Sequence, residues 1–206
     1  MMLLLVPGLT LGITLLFRAA AGPHYLGRNV DPDYAYLFNS LNLASGKAPT
    51  HIDHPGTTLQ LWGMLVLRSV HLFSGHGPFI TDVIQRSEFY LAGVFWSLAA
   101  SYILTLYLLG LTACRVDGSL IFAVLCQSTI LAFTPLAVCL PRVSPEIAIL
   151  IMCNLLCIRL LKLYQSSMES LLPVGQVLLL GVLSGAAIFT KIVFLPLIIL
   201  GLILFP

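Results

Sequence analysis

The chain has 206 residues, of which 59% are hydrophobic and only 9% are charged, and its mean hydropathy is +1.02. Soluble domains carry charge on roughly a quarter of their residues. This composition therefore excludes an ordinary soluble domain and predicts an integral membrane protein. The net charge of +2 comes from scattered basic residues, so nothing in the sequence indicates a nucleic-acid partner.

Apolar runs predict one all-α membrane domain over residues 1–206, with six transmembrane helices. A span needs about 20 apolar residues, and the runs lie at about 2–20, 89–111, 118–138, 147–163, 174–189 and 192–206. Because Ala-Ala-Ala-Gly follows the first run, a cleaved signal peptide is the alternative to a retained span. The last run ends at Pro206 without a polar tail, so we expect a truncated chain.

The first loop, residues 21–74, carries most of the hydrophilic residues and two helix starts. Asp31-Pro32 is the first, because aspartate caps free N–H groups and proline is tolerated at the first helical position. An apolar stripe follows at helical spacing and ends before Gly46, which predicts a short amphipathic helix over 32–45 on the membrane surface. The stripe consists of Tyr34, Leu37, Phe38 and Leu41.

The second helix start is the stretch THIDHPG. Here Asp53 or His54 is the predicted cap of a helix beginning at Pro55. The apolar residues that follow, 57–73, include Arg68 and His71. Charged groups are costly inside a bilayer, so we expect this helix to lie along the interface.

Four further charged residues mark candidate functional positions on the same membrane face as this loop. Asp33 lies near Asp31, Glu146 follows Ser-Pro at another helix start, and Lys191 interrupts the apolar stretch FTKIVF. Helix capping, the helix dipole and snorkelling explain each residue singly. Together with Arg142, they place carboxylates and cations at one membrane surface.

These groups suit transfer chemistry at a membrane. A carboxylate can act as a general base toward a hydroxyl acceptor, and cations at bilayer depth can hold a lipid-linked phosphate as it leaves. His51, Asp53 and His54 are candidate ligands of a divalent metal ion that would assist the same leaving group, although their spacing is a weak metal signature.

The order of these motifs resembles that of polyprenyl-phosphate-dependent glycosyltransferases of the glycosyltransferase C superfamily, which include protein O-mannosyltransferases and aminoarabinose transferases. The resemblance covers about residues 1–206. It rests on Asp31 followed by Tyr34, on Asp53-His54-Pro55 before an apolar helix, on RVSPEIAIL, and on GVLSGAAIFTKIVFLPL.

The resemblance implies a polyprenyl-phosphate sugar donor, a hydroxyl acceptor, and a first loop on the periplasmic or luminal face. It makes Asp31, Asp33 and Glu146 the catalytic acids. The residues it implies for substrate binding are Tyr34, His54, Arg142 and Lys191. The chain departs from the family pattern at Pro32, where an acid is usual, and at Gly56, where a second proline is usual.

Two other functions stay open. A catalytically silent relative of this fold could serve as a structural subunit of a larger membrane complex, which the Pro32 departure favours. A transporter or channel would have acids inside its spans, whereas every acid here lies at or near a predicted boundary. A count of basic residues per loop gives no support to the orientation implied by the resemblance.

Overall fold

A computed structural model describes residues 2–26, 33–50, 56–128, 139–166 and 174–190. Within these ranges the chain forms helices and no strands. Short 3₁₀ turns cover Met2–Leu4 and His24–Leu26. The α-helices are α1 (Leu5–Ala21), α2 (Asp33–Ala44), α3 (Thr57–Ser74), α4 (Phe79–Gln85), α5 (Ser87–Asp117), α6 (Leu120–Ser128), α7 (Pro145–Ser166) and α8 (Val174–Thr190).

Helix α5 is the centre of the bundle. Its 31 residues pack against α1, α2, α3, α4, α6 and α7. The side chains of Tyr90, Phe95, Leu98 and Tyr102 are each at most 2% exposed and form the middle of the main hydrophobic cluster. Helix α8 lies further out and packs on α7 and α3.

Three of the described helices are long and apolar enough to cross a membrane: Met2–Ala21, Ser87–Asp117 and Pro145–Gln165. They coincide with three of the six predicted spans. The fifth predicted span corresponds to α8, an apolar helix of only 17 residues. The third begins as α6 and continues outside the described residues, where the sixth also lies.

The helix predicted over 32–45 forms as α2, but its buried face differs from the predicted one. Leu37 and Leu41 belong to the protein core, and Tyr36 and Ser40 are buried beside them, whereas Phe38 is 42% exposed. The buried stripe is thus rotated by about 100°, or one residue. The expectation that the whole stripe faces the membrane was wrong, because α2 packs against α3 and α5.

The end of α2 agrees with the sequence. Gly46 has a φ of +73°, the left-handed conformation that stops a helix. Its N–H donates to Leu43 O at 3.0 Å, and the N–H of Lys47 donates to Asn42 O at 2.8 Å. These bonds satisfy carbonyl groups that the end of the helix would leave without partners.

Helices α2 and α3 approach closely at Ser40 and Gly63. A Cβ atom added to Gly63 would lie 2.2 Å from Ser40 Oγ and 2.9 Å from Ser40 Cβ. Real atoms do not approach so closely, so a glycine at this point allows α2 to dock on α3.

We expect Gly63→Ala to lower the free energy of unfolding by about 1–3 kcal/mol, the usual cost of overpacking a core. Thermal unfolding of the purified protein in detergent would measure it. Gly12→Ala is the matched control. Gly12 lies within α1, and a Cβ atom added to it would have no other atom within 4 Å. Equal stability of the two variants would contradict the close packing of α2 on α3.

Candidate functional site

The first residue of α2, Asp33, forms a buried pair with His24. Its carboxylate oxygen Oδ2 lies 2.5 Å from His24 Nδ1, and both side chains are only 2% exposed. A carboxylate next to one ring nitrogen favours the tautomer in which that nitrogen carries the proton. The pair therefore holds the imidazole in a fixed orientation, as a carboxylate does for a general base in many enzymes.

The same carboxylate joins the first loop to the segment before α7. Asp33 Oδ1 accepts a hydrogen bond from the Val143 N–H at 3.3 Å, across 110 residues of sequence. Val143 is 1% exposed, so this N–H would have no solvent partner without Asp33. The bond brings together two regions that carry the predicted acidic motifs.

Two arginines lie at this pair. Arg18, Arg142, His24 and Asp33 line one small pocket at the end of α1. Arg18 is fixed by two backbone carbonyls, since Nη1 donates to Pro141 O at 3.1 Å and Nη2 to Gly22 O at 2.6 Å. The Arg142 guanidinium, in contrast, donates to no protein oxygen within the described ranges.

An aromatic ring forms one wall of the arrangement. The guanidinium carbon of Arg18 lies 5.6 Å from the centroid of the Phe95 ring, and the His24 ring centroid lies 6.4 Å from it. Phe95 is 1% exposed. The charged groups are therefore next to a rigid apolar surface, where electrostatic interactions are stronger than in water.

Glu88, at the start of α5, holds the turn that carries His24. Its carboxylate accepts hydrogen bonds from the His24 N–H and the Tyr25 N–H, both at 3.0 Å, and from the Tyr34 hydroxyl at 2.9 Å. Burial and this hydrogen bond to Glu88 raise the pKa of Tyr34 to about 12. Tyr34 thus stays a neutral donor, and Glu88 holds the His24 backbone and the residue that follows Asp33.

This arrangement is suited to an anion. Two arginines line the same pocket as Asp33, and the Asp33 carboxylate already accepts from the His24 ring and the Val143 N–H. Guanidinium groups bind phosphate and carboxylate oxygens through paired N–H donors.

The structure brings some of the sequence-predicted site residues together. Asp33 and Arg142 share the pocket, and Tyr34 contacts the same region through Glu88. Glu146 lies in the first turn of α7 and is partly buried, three residues after Val143. The remaining predicted residues lie outside the described residues: Asp31, His51, Asp53, His54 and Lys191.

Sequence reasoning missed three residues of this region: Arg18, His24 and Glu88. Arg18 lies near the end of the apolar run at 2–20, and Glu88 lies directly before the run at 89–111. The hydrogen bonds that give these residues their roles join distant parts of the chain. Arg18 donates to Pro141 O, and Glu88 accepts from His24 N–H, each across more than 60 positions. A charged residue at each boundary of an apolar run was the only signal in the sequence.

A second polar cluster surrounds Asp82 on α4. Tyr90 donates its hydroxyl to Asp82 Oδ2 at 2.5 Å, His76 donates its backbone N–H at 3.1 Å, and His71 Nδ1 lies at 3.2 Å. Arg86 Nη1 lies 3.4 Å from the other oxygen. These donors, above all the Tyr90 hydroxyl, lower the pKa of Asp82 to about 2 despite its burial.

No group of three or more His, Cys, Asp or Glu side chains with metal-binding geometry occurs in the part of the chain that the structure describes. The candidate metal ligands His51, Asp53 and His54 lie outside that part. The pocket at Asp33 fits a cation poorly, since two arginines border it.

Replacement of Glu88 by alanine should loosen the turn at His24 and the start of α2. Three donors would lose their acceptor, at a cost of about 1–3 kcal/mol for each that stays buried. Hydrogen–deuterium exchange of peptides covering 22–26 and 33–40 should become faster. Asp117→Ala, at the exposed far end of α5, is the matched control, and unchanged exchange in Glu88→Ala would contradict the role of Glu88.

The lowered pKa of Asp82 predicts a loss of stability in acid. A group whose pKa falls on folding stabilises the folded state above its unfolded value, and this contribution disappears as pH falls toward the folded value. The difference in unfolding free energy between the wild type and Asp82→Asn should therefore be constant above a pH of about 3.8. It should shrink as the pH falls toward about 2. Chemical unfolding at a series of pH values would measure it. A difference that does not change with pH would contradict the prediction.

The chain matches no protein-family model, no curated protein and no solved structure. Its function is therefore inferred from the chemistry of the site.

Proposed function

We propose that the chain is a multi-pass membrane glycosyltransferase that moves a sugar from a polyprenyl-phosphate donor to a hydroxyl acceptor. The observation that carries this proposal is the pocket in which the Asp33–His24 pair is bordered by Arg18 and Arg142. A base and a phosphate-binding pair must lie side by side for such a transfer. The motif order of the sequence and the apolar spans favour the same reaction.

Arg142 is the proposed contact to the donor phosphate. Its guanidinium is partly buried and has no acceptor among the described residues. Its N–H donors are therefore open to the oxygens of a phosphate, which guanidinium groups bind through paired donors. Arg18 is fixed on backbone carbonyls and contributes a stationary positive charge beside it. Lys191 and Tyr34 stay proposed substrate contacts on the basis of the motifs alone.

The pair at Asp33 is the proposed proton acceptor. The acceptor hydroxyl attacks the anomeric carbon of the sugar, and His24 takes the hydroxyl proton while Asp33 holds the resulting imidazolium. The new C–O bond forms as the anomeric C–O bond to phosphate breaks. The electron pair of that bond leaves with the polyprenyl phosphate, whose added negative charge the arginines stabilise. Asp31 and Glu146 are proposed as further acids, and a divalent ion at His51, Asp53 and His54 as an aid to departure.

The proposed orientation puts the first loop, residues 21–74, on the periplasmic or luminal face. The lipid carrier would then present its phosphate at that face, beside the end of α1. Six spans, of which three are described in full, would complete the membrane domain.

Asp33→Asn should lower the transfer rate by about 10²–10⁴-fold, the usual contribution of general acid–base catalysis. The substitution keeps the size of the side chain but removes the charge that stabilises the imidazolium. Transfer of radiolabelled sugar from a polyprenyl-phosphate donor in membranes would measure it. Arg142→Gln should chiefly raise the donor KM.

Asp117→Asn is the matched control, because Asp117 is the last residue of α5 and Glu88, which holds the pair's turn, lies at the first end of that helix. Wild-type transfer by Asp33→Asn would remove the proposed role of the pair, and Asp31→Asn would then show whether the other acid of this motif carries the reaction instead.

A second candidate function is a structural subunit of a larger membrane complex. The observation that favours it is the burial of the pair, since the side chains of His24 and Asp33 are each only 2% exposed. A catalytic imidazole needs access to its substrate. Co-purification with a stable partner, with no donor-dependent transfer by either the wild type or the complex, would decide for the subunit.

A further inference from the structure

A second surface lies at the turn between α3 and α4, away from the pocket at Asp33. We define it by six residues and call it the turn patch: Phe73, His76, Ile80, Ile84, Arg86 and Phe89. Phe73 is 85% exposed, and Ile80, Ile84 and Phe89 are all exposed by more than 40%. Apolar groups of this size around a cation are typical of protein surfaces that rest in the headgroup region of a membrane.

Arg86 presents one edge of its guanidinium outward. Nη1 donates to Ser74 O at 2.8 Å and to His76 Nδ1 at 2.7 Å, and it lies 3.4 Å from Asp82 Oδ1. Nε and Nη2 have no acceptor among the described residues. The guanidinium carbon also lies 4.3 Å from the centroid of the Phe89 ring. The group is thus fixed in place with the N–H donors of two nitrogens still available, the arrangement that binds a phosphate.

His76 supplies a further donor. Its Nδ1 accepts from Arg86, so the proton of the neutral ring lies on Nε2. His76 is exposed. Its Nε2–H can therefore donate to a second oxygen of the same phosphate.

The acids near this surface are already engaged. Asp82 is 2% exposed and accepts from the Tyr90 hydroxyl and the His76 N–H, with His71 Nδ1 close by. Glu88 accepts from groups of the first loop on the other side of α5. Asp82 also forms an ion pair with Arg86 Nη1, so the cationic group that the turn patch presents outward is the Nε and Nη2 edge of Arg86.

The length of α5 sets the depth of the turn patch. A helix of 31 residues extends about 46 Å, whereas the hydrocarbon core of a bilayer is about 30 Å thick. At least one end of α5 therefore reaches the headgroups. Arg86 and Phe89 lie at its first end, beside Asp82 and Glu88, and charged groups are costly inside the hydrocarbon core, which favours the headgroup region for this end.

We propose that the turn patch binds the phosphate of an anionic phospholipid from the surrounding membrane. The phosphate accepts hydrogen bonds from Nε and Nη2 of Arg86 and from Nε2 of His76. The lipid chains lie against the apolar side chains of the patch. The site is separate from the pocket proposed for the sugar donor.

The test is native mass spectrometry of the full chain. The protein is mixed in detergent with phosphatidylglycerol or phosphatidylcholine, and the lipid that stays bound after the detergent is removed in the spectrometer is measured. Arg86→Gln should weaken phosphatidylglycerol retention by at least about tenfold, because it removes the guanidinium charge and both of its hydrogen bonds to the phosphate. It should leave the retention of phosphatidylcholine unchanged. Arg115→Gln, in the last turn of α5, is the matched control and should behave as the wild type.

Arg86 also supports the turn through its bond to Ser74 O, so a second variant at an exposed loop residue, His76→Ala, is needed. We expect His76→Ala to lose less phosphatidylglycerol than Arg86→Gln does. Equal retention of both lipids by the wild type would overturn the proposal. Wild-type retention of phosphatidylglycerol by a folded Arg86→Gln variant would also overturn it. Displacement of the lipid by millimolar glycerol phosphate would identify a site for soluble phosphates and would overturn the assignment to a membrane lipid.

Discussion

A carboxylate buried among apolar helices is stable only when hydrogen-bond donors surround it, and Asp33 satisfies this condition with groups from two distant parts of the chain. The His24 ring comes from the turn after α1, and the Val143 N–H comes from the segment before α7. Glu88 also links the turn after α1 to the start of α2, but among the contacts of the described residues given above only Asp33 joins both of these segments to the one before α7. The position of the candidate site in the bundle thus depends on this one buried carboxylate.

His24 is constrained in two independent ways, which explains how a residue in a short turn can have a defined orientation. Its backbone N–H donates to Glu88 on α5, and its ring donates to Asp33 on α2. The backbone bond fixes where the residue lies, and the side-chain bond fixes the rotation of the ring. Both acceptors are carboxylates, whose hydrogen bonds are stronger than those of neutral groups.

The sequence predicted the helices well where a local rule applies. Apolar runs located α1, α5 and α7, and Gly46 marked the end of α2 because a glycine can adopt a positive φ. The face of α2 could not be read from its own residues, because the contact between Ser40 and Gly63 depends on another helix. The partnerships of Arg18 and Glu88 were also invisible, since each joins residues far apart in sequence. Asp33 and Arg142 were identified as charged residues at boundaries, but only the fold puts them in one pocket.

The carbonyl of Ala186, in the last turn of α8, accepts hydrogen bonds from two hydroxyl groups. Thr58 at the start of α3 donates at 2.8 Å, and Thr190 of the same helix donates at 2.7 Å. A hydroxyl that competes for a helical carbonyl weakens the backbone bond there and favours bending. The Ala186 carbonyl therefore couples the last turn of α8 to the first turn of α3, so that a displacement of either helix end would act on the other.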